Sequence, residues 1–241
     1  VVTEVSASSA AAAPTVPTTS PIVGIGASAG GLEAFTQLLK QLPGDTGMGF
    51  VLIQHLDPTH KSYLVETLGK STSMPVSQVQ HGQRVEPDHV YVIPPEADVS
   101  IAGGRLELVS RRDSKQLHLP IDFFFTALAA EIGSRAIGVV LSGTASDGTE
   151  GLKAIKAAGG ITFAQDPGTA RYAGMPSSAV AAGVVDFALP IAGLAAELVR
   201  LGHHRYLLGE RDMVELAPGV VQPDRALLAP IMKLIRDLVG V

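Results

Sequence analysis

Short, continuous apolar runs recur along the chain at residues 21–25, 49–53 and 136–141, and each gives way to a glycine-rich or polar turn. Runs of this length without alternation fit parallel strands buried on both faces. Between them the apolar positions change period. Leu32, Phe35, Leu38, Leu39 and Leu42 recur at helical spacing and predict an amphipathic helix with Leu32 on its buried face. A second helix is expected over 61–70, then short strands over 75–79 and 89–93, the latter stopped by Pro94-Pro95. Residues 99–102 and 105–109 flank Gly103-Gly104, which predicts a two-residue β-hairpin, an excursion from the main sheet with a polar exit at 111–115. Proline opens a helix over 120–131 whose one face carries Ile121, Phe124, Phe125, Leu128 and Ile132. Helices over 149–158, 175–182 and 190–201 then alternate with strands over 160–164 and 184–189. This alternation predicts an α/β fold, a doubly wound and mainly parallel sheet with flanking helices, in which ligands bind beyond the strand C-terminal ends.

Composition narrows the class. At 241 residues the chain can bury a sizeable core, and no apolar run reaches the length of a membrane span. A net charge of −5 with few aromatic residues argues against a nucleic-acid surface. Cysteine is absent, which removes disulfides, thiol nucleophiles and cysteine-based zinc sites and fits a cytoplasmic setting. Residues 1–20 have the Ala, Ser, Thr, Val and Pro composition of a linker or disordered arm and lack the basic and apolar regions of a secretory signal. The globular unit is expected over 21–201. Residues 202–241 read as an exit linker, with His203 and His204 exposed, followed by an amphipathic helix over 226–240.

Candidate chemistry gathers at the loops after the predicted strands. In Gly26-Ala27-Ser28-Ala29-Gly30, a strand, a glycine turn and a helix start surround a serine, the pattern of a nucleophile elbow. The same stretch offers Gly24-x-Gly26-x-x-Ala29, a loose dinucleotide fingerprint, and an ordinary helix-capping serine at the helix N-terminus. The dinucleotide reading expects an acidic residue at the end of the next strand, where Gln54-His55 stands, so it ranks behind. His55, Asp57 and His60 have metal-ligand types but no recognised spacing, and no metal or cofactor is expected. Ser28, His55 and Asp147 supply a hydroxyl, an imidazole and a carboxylate at corresponding loops, the set that serine hydrolysis needs. The order Ser, His, Asp differs from that of the α/β-hydrolases. Individually, His55 reads as a loop histidine and Asp147 as a helix cap.

Four stretches, GIGASAGG with Ser28, QHLDP with His55, LSGTASDG with Asp147, and Ala173-Gly174-Met175-Pro176, together resemble the landmark motifs of the chemotaxis receptor methylesterase (CheB-type) catalytic domain over about 21–201. The resemblance implies Ser28 as nucleophile, His55 as general base, Asp147 as its orienting carboxylate, and backbone N–H groups of Thr144 and Ala29 as the oxyanion hole. It further implies hydrolysis of glutamate γ-methyl esters on receptor proteins, with glutamine deamidation as a related activity. This sequence departs from the family pattern in three places. Twenty low-complexity residues stand where chemotaxis members carry a phospho-receiver domain, so switching by aspartyl phosphorylation is not expected. Gly143-Thr144-Ala145-Ser146 replaces Gly-Met-Gly-Asn, and Ser177 replaces a common arginine. The pattern is similar to fused methylesterase–methyltransferase proteins, which implies a methyltransferase module in the same parent chain. The competing expectation is an esterase-like regulatory or binding module with weak turnover.

Overall fold

The computed structural model describes residues 20–55, 63–110 and 119–202. The arm at 1–19, Asp57, His60, the start of the predicted second helix, the hairpin exit and residues 203–241 lie outside the described residues. The first strand, β1 (Ile22–Ala27), leads into helix α1 (Gly31–Leu39), and β2 (Gly49–Gln54) follows. Helix α2 (Leu64–Gly69), β3 (Val76–Gln78), β4 (Gln83–Arg84) and β5 (Val90–Val92) come next. The hairpin strands β6 (Ala97–Ala102) and β7 (Arg105–Ser110) precede α3 (Pro120–Ile132). The chain then alternates through β8 (Ala136–Val140), α4 (Thr149–Ala157), β9 (Ile161–Gln165), α5 (Gly174–Ala181), β10 (Phe187–Leu189) and α6 (Ile191–Gly202).

Seven strands form one parallel sheet in the order β10-β9-β8-β1-β2-β5-β3. Strand β1 lies at its centre, and the strand order reverses between β8 and β1, the switch point where loops from two directions part and leave a crevice. The hairpin pairs with β4 in a separate antiparallel sheet of order β4-β7-β6. Strand β4 has no sequence signal: it is two polar residues long, held by pairing to β7 rather than by an apolar pattern.

Each sheet face has its own core. Val23, Ile25 and Ala27 of β1 point toward α1 and α6, packing with Phe35, Leu38, Leu39, Leu194 and Leu198. Ile22 points to the opposite core, built on Phe124, Phe125 and Leu128 of α3 and Leu152 and Ile155 of α4. The remaining positions of β1 on that face are Gly24 and Gly26, and they explain how near α3 can come. A Cβ at Gly24 would stand 2.8 Å from the Phe125 ring, and one at Gly26 would overlap the Ile121 side chain. These glycines therefore admit a helix; the space a pyrophosphate would need in the dinucleotide reading is filled by α3 side chains. Close approach of α3 also sets the height of its N-terminus beside the loop that follows β8.

One expectation about packing is overturned. Leu32 is 41% exposed, whereas Phe35, Leu38, Leu39 and Leu42 are buried as the spacing predicts. Helix α1 begins above the end of β1, where a Cβ on Gly31 would stand 2.9 Å from Ala27 Cβ. Its first turn overhangs the sheet, so Leu32 meets a surface groove shared with Gln54 and Thr67 instead of the core.

Candidate active site

Ser28 leaves β1 one residue past the strand end. Its N–H donates to the Ser142 carbonyl at 3.0 Å, and its own carbonyl accepts from Gly31 N–H at 2.9 Å. The cap of α1 is Gly30, with φ +74° and no side-chain cap bond, so Ser28 stands two residues ahead of the cap and does not cap the helix. The capping-serine reading fails on this geometry. The Ser28 hydroxyl is left to face the imidazole.

His55 follows β2, the neighbour of β1, and bridges the other two residues. Its Nδ1 lies 3.1 Å from Ser28 Oγ, and its Nε2 lies 2.7 Å from Asp147 Oδ2. The imidazole is 31% exposed, whereas Asp147 is 1% exposed. Adjacent strands β8, β1 and β2 thus bring together residues that are 27 and 92 positions apart in sequence.

The setting of Asp147 fixes the direction of the relay. Oδ2 accepts the Ile121 N–H at 3.1 Å and Oδ1 the Asp122 N–H at 2.9 Å, two donors from the first turn of α3. Asp147 is therefore a helix cap, but of the distant α3; its neighbour α4 is capped by Gly148. Among the described residues the partners of this carboxylate are N–H donors, so it accepts Nε2–H from His55, which leaves the Nδ1 lone pair toward Ser28. Asp122 is drawn into the same cluster. Burial, and secondarily the charge of Asp147, raise its pKa, while the Gly151 N–H bond at 2.7 Å opposes the rise.

The two expected oxyanion donors are both held from behind. Among the described residues, neither Ala29 N–H nor Thr144 N–H has a protein acceptor. The carbonyl sharing a peptide plane with Ala29 N–H is that of Ser28, bonded to Gly31 N–H and, at 3.5 Å, to Gln54 Nε2. The carbonyl sharing a plane with Thr144 N–H is that of Gly143, which accepts from Met175 N–H at 3.0 Å. Because N–H and C=O point in opposite directions across a planar trans peptide, fixing each carbonyl aims the amide on its far side. The loop lies close to the serine: a Cβ on Gly143 would stand 3.1 Å from Ser28 Cβ and would overlap Met175 Sδ. Ala145 holds φ +64°, a left-handed conformation unusual for a residue other than glycine.

Residues that sequence reasoning left out connect these parts. Ser142, 1% exposed, donates its hydroxyl to the Ala29 carbonyl at 2.9 Å and accepts Tyr172 N–H at 3.0 Å. Ile121 and Asp122 supply the backbone donors just described. A serine between a strand and a glycine carries no sign in sequence of a partner 113 positions away. Two surface grooves, of about 370 and 600 Å³, meet at Gly30, Glu33, Gln37 and Arg171 beside the elbow, and neither is lined by the trio itself. Among the described residues there is no group of His, Asp and Glu that could hold a metal ion.

A hydroxyl, an imidazole and a buried carboxylate aligned at the switch point of a parallel sheet define the geometry of a serine-hydrolase relay. Residues 23–198 match the family model described as CheB methylesterase, and the chain belongs to that family. It is 33% identical over 186 residues to the protein-glutamate methylesterase/protein-glutamine glutaminase 1 of Geobacter sulfurreducens, covering 75% of this chain and 51% of that protein. It is 48% identical over 156 residues to an uncharacterized 104.1 kDa protein of Rhodobacter capsulatus, covering 65% of this chain and 16% of that protein. Among solved structures, the Thermotoga maritima CheB methylesterase catalytic domain matches with a TM-score of 0.71 and 28% identity, covering 76% of this chain and 98% of that one. The chain thus spans about half the length of the Geobacter relative and a smaller part of the Rhodobacter one.

Proposed function

We propose that this chain is a protein-glutamate methylesterase domain that hydrolyses glutamate γ-methyl esters on a receptor or signalling protein, with Ser28 as nucleophile. The unbroken Ser28-His55-Asp147 relay, with contacts of 3.1 and 2.7 Å, is the observation that carries this reading.

In this mechanism Ser28 Oγ attacks the ester carbonyl carbon while His55 Nδ1 takes the hydroxyl proton. Asp147 keeps Nε2–H in place and steadies the imidazolium. The negative oxygen of the tetrahedral intermediate lies against the Thr144 and Ala29 N–H groups, where two fixed donors stabilise charge that forms only in the transition state. Collapse breaks the bond to the methoxy oxygen, which takes the proton from Nδ1 and leaves as methanol. Water, deprotonated by His55, then attacks the glutamyl-Ser28 ester; collapse returns the proton to Ser28 and frees glutamate. The same steps with a glutamine side chain release ammonia, in keeping with the second activity in the name of the Geobacter relative.

The part-exposed imidazole suits a substrate presented on the surface of another protein. No described helix is long and apolar enough to cross a membrane. Work in the cytoplasm belongs to the same proposal. The small share of the 104.1 kDa relative that aligns is in keeping with a domain borne by a larger chain, and the methyltransferase module belongs to this proposal. The test is methanol release from a methylated chemoreceptor by the purified chain, with Ser28→Ala as control. Release that depends on Ser28 is expected. Equal inertness of wild type and Ser28→Ala, with retained receptor binding, would instead make the domain a binding module.

A further inference from the structure

Buried Ser142 touches more of the reaction centre's scaffold than any role in the relay requires. It lies where β8 ends, and all of its polar groups are engaged. Its N–H donates to Gln165 Oε1 at 3.0 Å, and that glutamine's Nε2 is anchored on the Thr169 carbonyl at 3.2 Å. Its carbonyl receives the nucleophile's own N–H at 3.0 Å. The hydroxyl has one proton to give, and it goes to the Ala29 carbonyl; a lone pair takes Tyr172 N–H.

We propose that Ser142 is a positioning residue that holds the two oxyanion amides in register with each other, an inference that rests on the hydrolase reading above. On one side its hydroxyl pins the Ala29–Gly30 peptide and its carbonyl pins the Ala27–Ser28 peptide. The peptide between them, which bears Ala29 N–H, is thereby fixed at both ends. On the other side Tyr172 donates to Ser142 and its carbonyl accepts Gly143 N–H at 2.9 Å, closing a ring from Ser142 through Gly143 to Tyr172. Gly143 carries the carbonyl whose plane contains Thr144 N–H. One hydroxyl thus joins the turn after β1 to the loop after β8, and the two donors come one from each. The space is tight enough to make the hydroxyl's position specific: a Cβ on Gly30 would stand 2.8 Å from Ser142 Oγ.

Removing the hydroxyl leaves the nucleophile, base and carboxylate in place and releases the amides that meet the oxyanion. The loss therefore falls on the transition state, in kcat, with little change in KM. It leaves the pH profile alone, since the His55–Asp147 contact is untouched.

The experiment measures methanol release from a methylated chemoreceptor by the full chain, at a temperature well below the thermal midpoint of each variant. Ser142→Ala is expected to lower kcat about 10- to 100-fold, less than outright loss of an oxyanion donor, with KM within about twofold and an unshifted pH profile. Ser142→Thr, which keeps the hydroxyl, is expected to restore kcat to within about threefold of wild type. If the alanine variant does not fold, Ser142→Cys, similar in volume but a weak donor, carries the test with an expected loss of about tenfold. Wild-type kcat in a folded Ser142→Ala protein, equal losses in the alanine and threonine variants, or a loss seen mainly in KM would each overturn the assignment. An inert wild type is a different failure, which removes the hydrolase reading and this inference with it.

Discussion

Replacing Asp147 with alanine should injure folding and catalysis together, because the carboxylate serves two partners that sequence separates. Its removal strips the acceptor from the N–H groups of Ile121 and Asp122 at the buried start of α3. A buried donor left without an acceptor costs about 1–3 kcal/mol, so two set an upper range near 6 kcal/mol. Water entering the vacated space should recover part of it, giving an expected loss of roughly 2–4 kcal/mol. At roughly 2–4 °C per kcal/mol for a domain of this size, the midpoint should fall by roughly 4–16 °C. Catalysis should fall by about 10⁴, against about 10⁶ for Ser28→Ala or His55→Ala, since the imidazole can still take a proton without its orienting partner. Asp147→Asn separates the two roles. Two donors face Oδ2 and one faces Oδ1, so the amide oxygen should occupy the Oδ2 position and preserve the His55 tautomer, with its NH₂ group opposed only to Asp122 N–H. Asparagine should therefore cost about half the stability lost by alanine and retain more turnover. Urea unfolding alongside methanol-release kinetics would check both. An Asp147→Ala protein within about 0.5 kcal/mol of wild-type stability would refute the capping argument, and one within tenfold of wild-type kcat would refute the relay.

Ala145 and Asp122 give further expectations. Ala145→Gly should relieve roughly 1–2 kcal/mol of left-handed backbone strain at φ +64°, offset by about 0.5–1 kcal/mol of extra chain entropy; a small rise in midpoint by calorimetry is expected, with turnover kept. Ala145→Val should act oppositely, lowering kcat by up to about 3 kcal/mol equivalent through the loop that presents Thr144 N–H, and unchanged kinetics would count against that loop's role. The raised pKa of Asp122 means that the folded state binds its proton more tightly than the unfolded state does. Its contribution to stability is thus fully present below the ordinary carboxylate pKa and is lost as pH rises through the raised one. Asp122→Asn should flatten that decline in denaturant titrations across mildly acidic pH, and an unaltered slope would show that the burial has no energetic consequence.

Much of the architecture was legible because its signals are local. Continuous apolar runs must be covered on both faces, and turns rich in glycine or proline must end them, so the strands and helices of the parallel sheet could be placed from composition and period alone. The residue types of the relay were legible for a related reason: loops after parallel strands converge on one sheet edge, which brought Ser28, His55 and Asp147 to the same place before any distance was known. Local signals failed where a partner from elsewhere decides. The helical stripe placed Leu32 in the core, but the start of α1 overhangs the end of β1. Gly24 and Gly26 resembled a phosphate-binding turn, yet their missing side chains make room for Phe125 and Ile121. Strand β4 exists only because β7 pairs with it.

The site divides in the same way. The sequence by itself determined which chemical groups are present and that they follow strands, since both are properties of short segments. Only the tertiary structure decided which imidazole nitrogen faces Ser28, that Asp147 is held by the start of α3, and that Ser142 joins the two loops carrying Ala29 and Thr144. Each of these depends on hydrogen bonds between segments 25 to 113 residues apart. Such bonds are set by how closely helices settle on the sheet, and that closeness is a property of the packed molecule that no local stretch encodes.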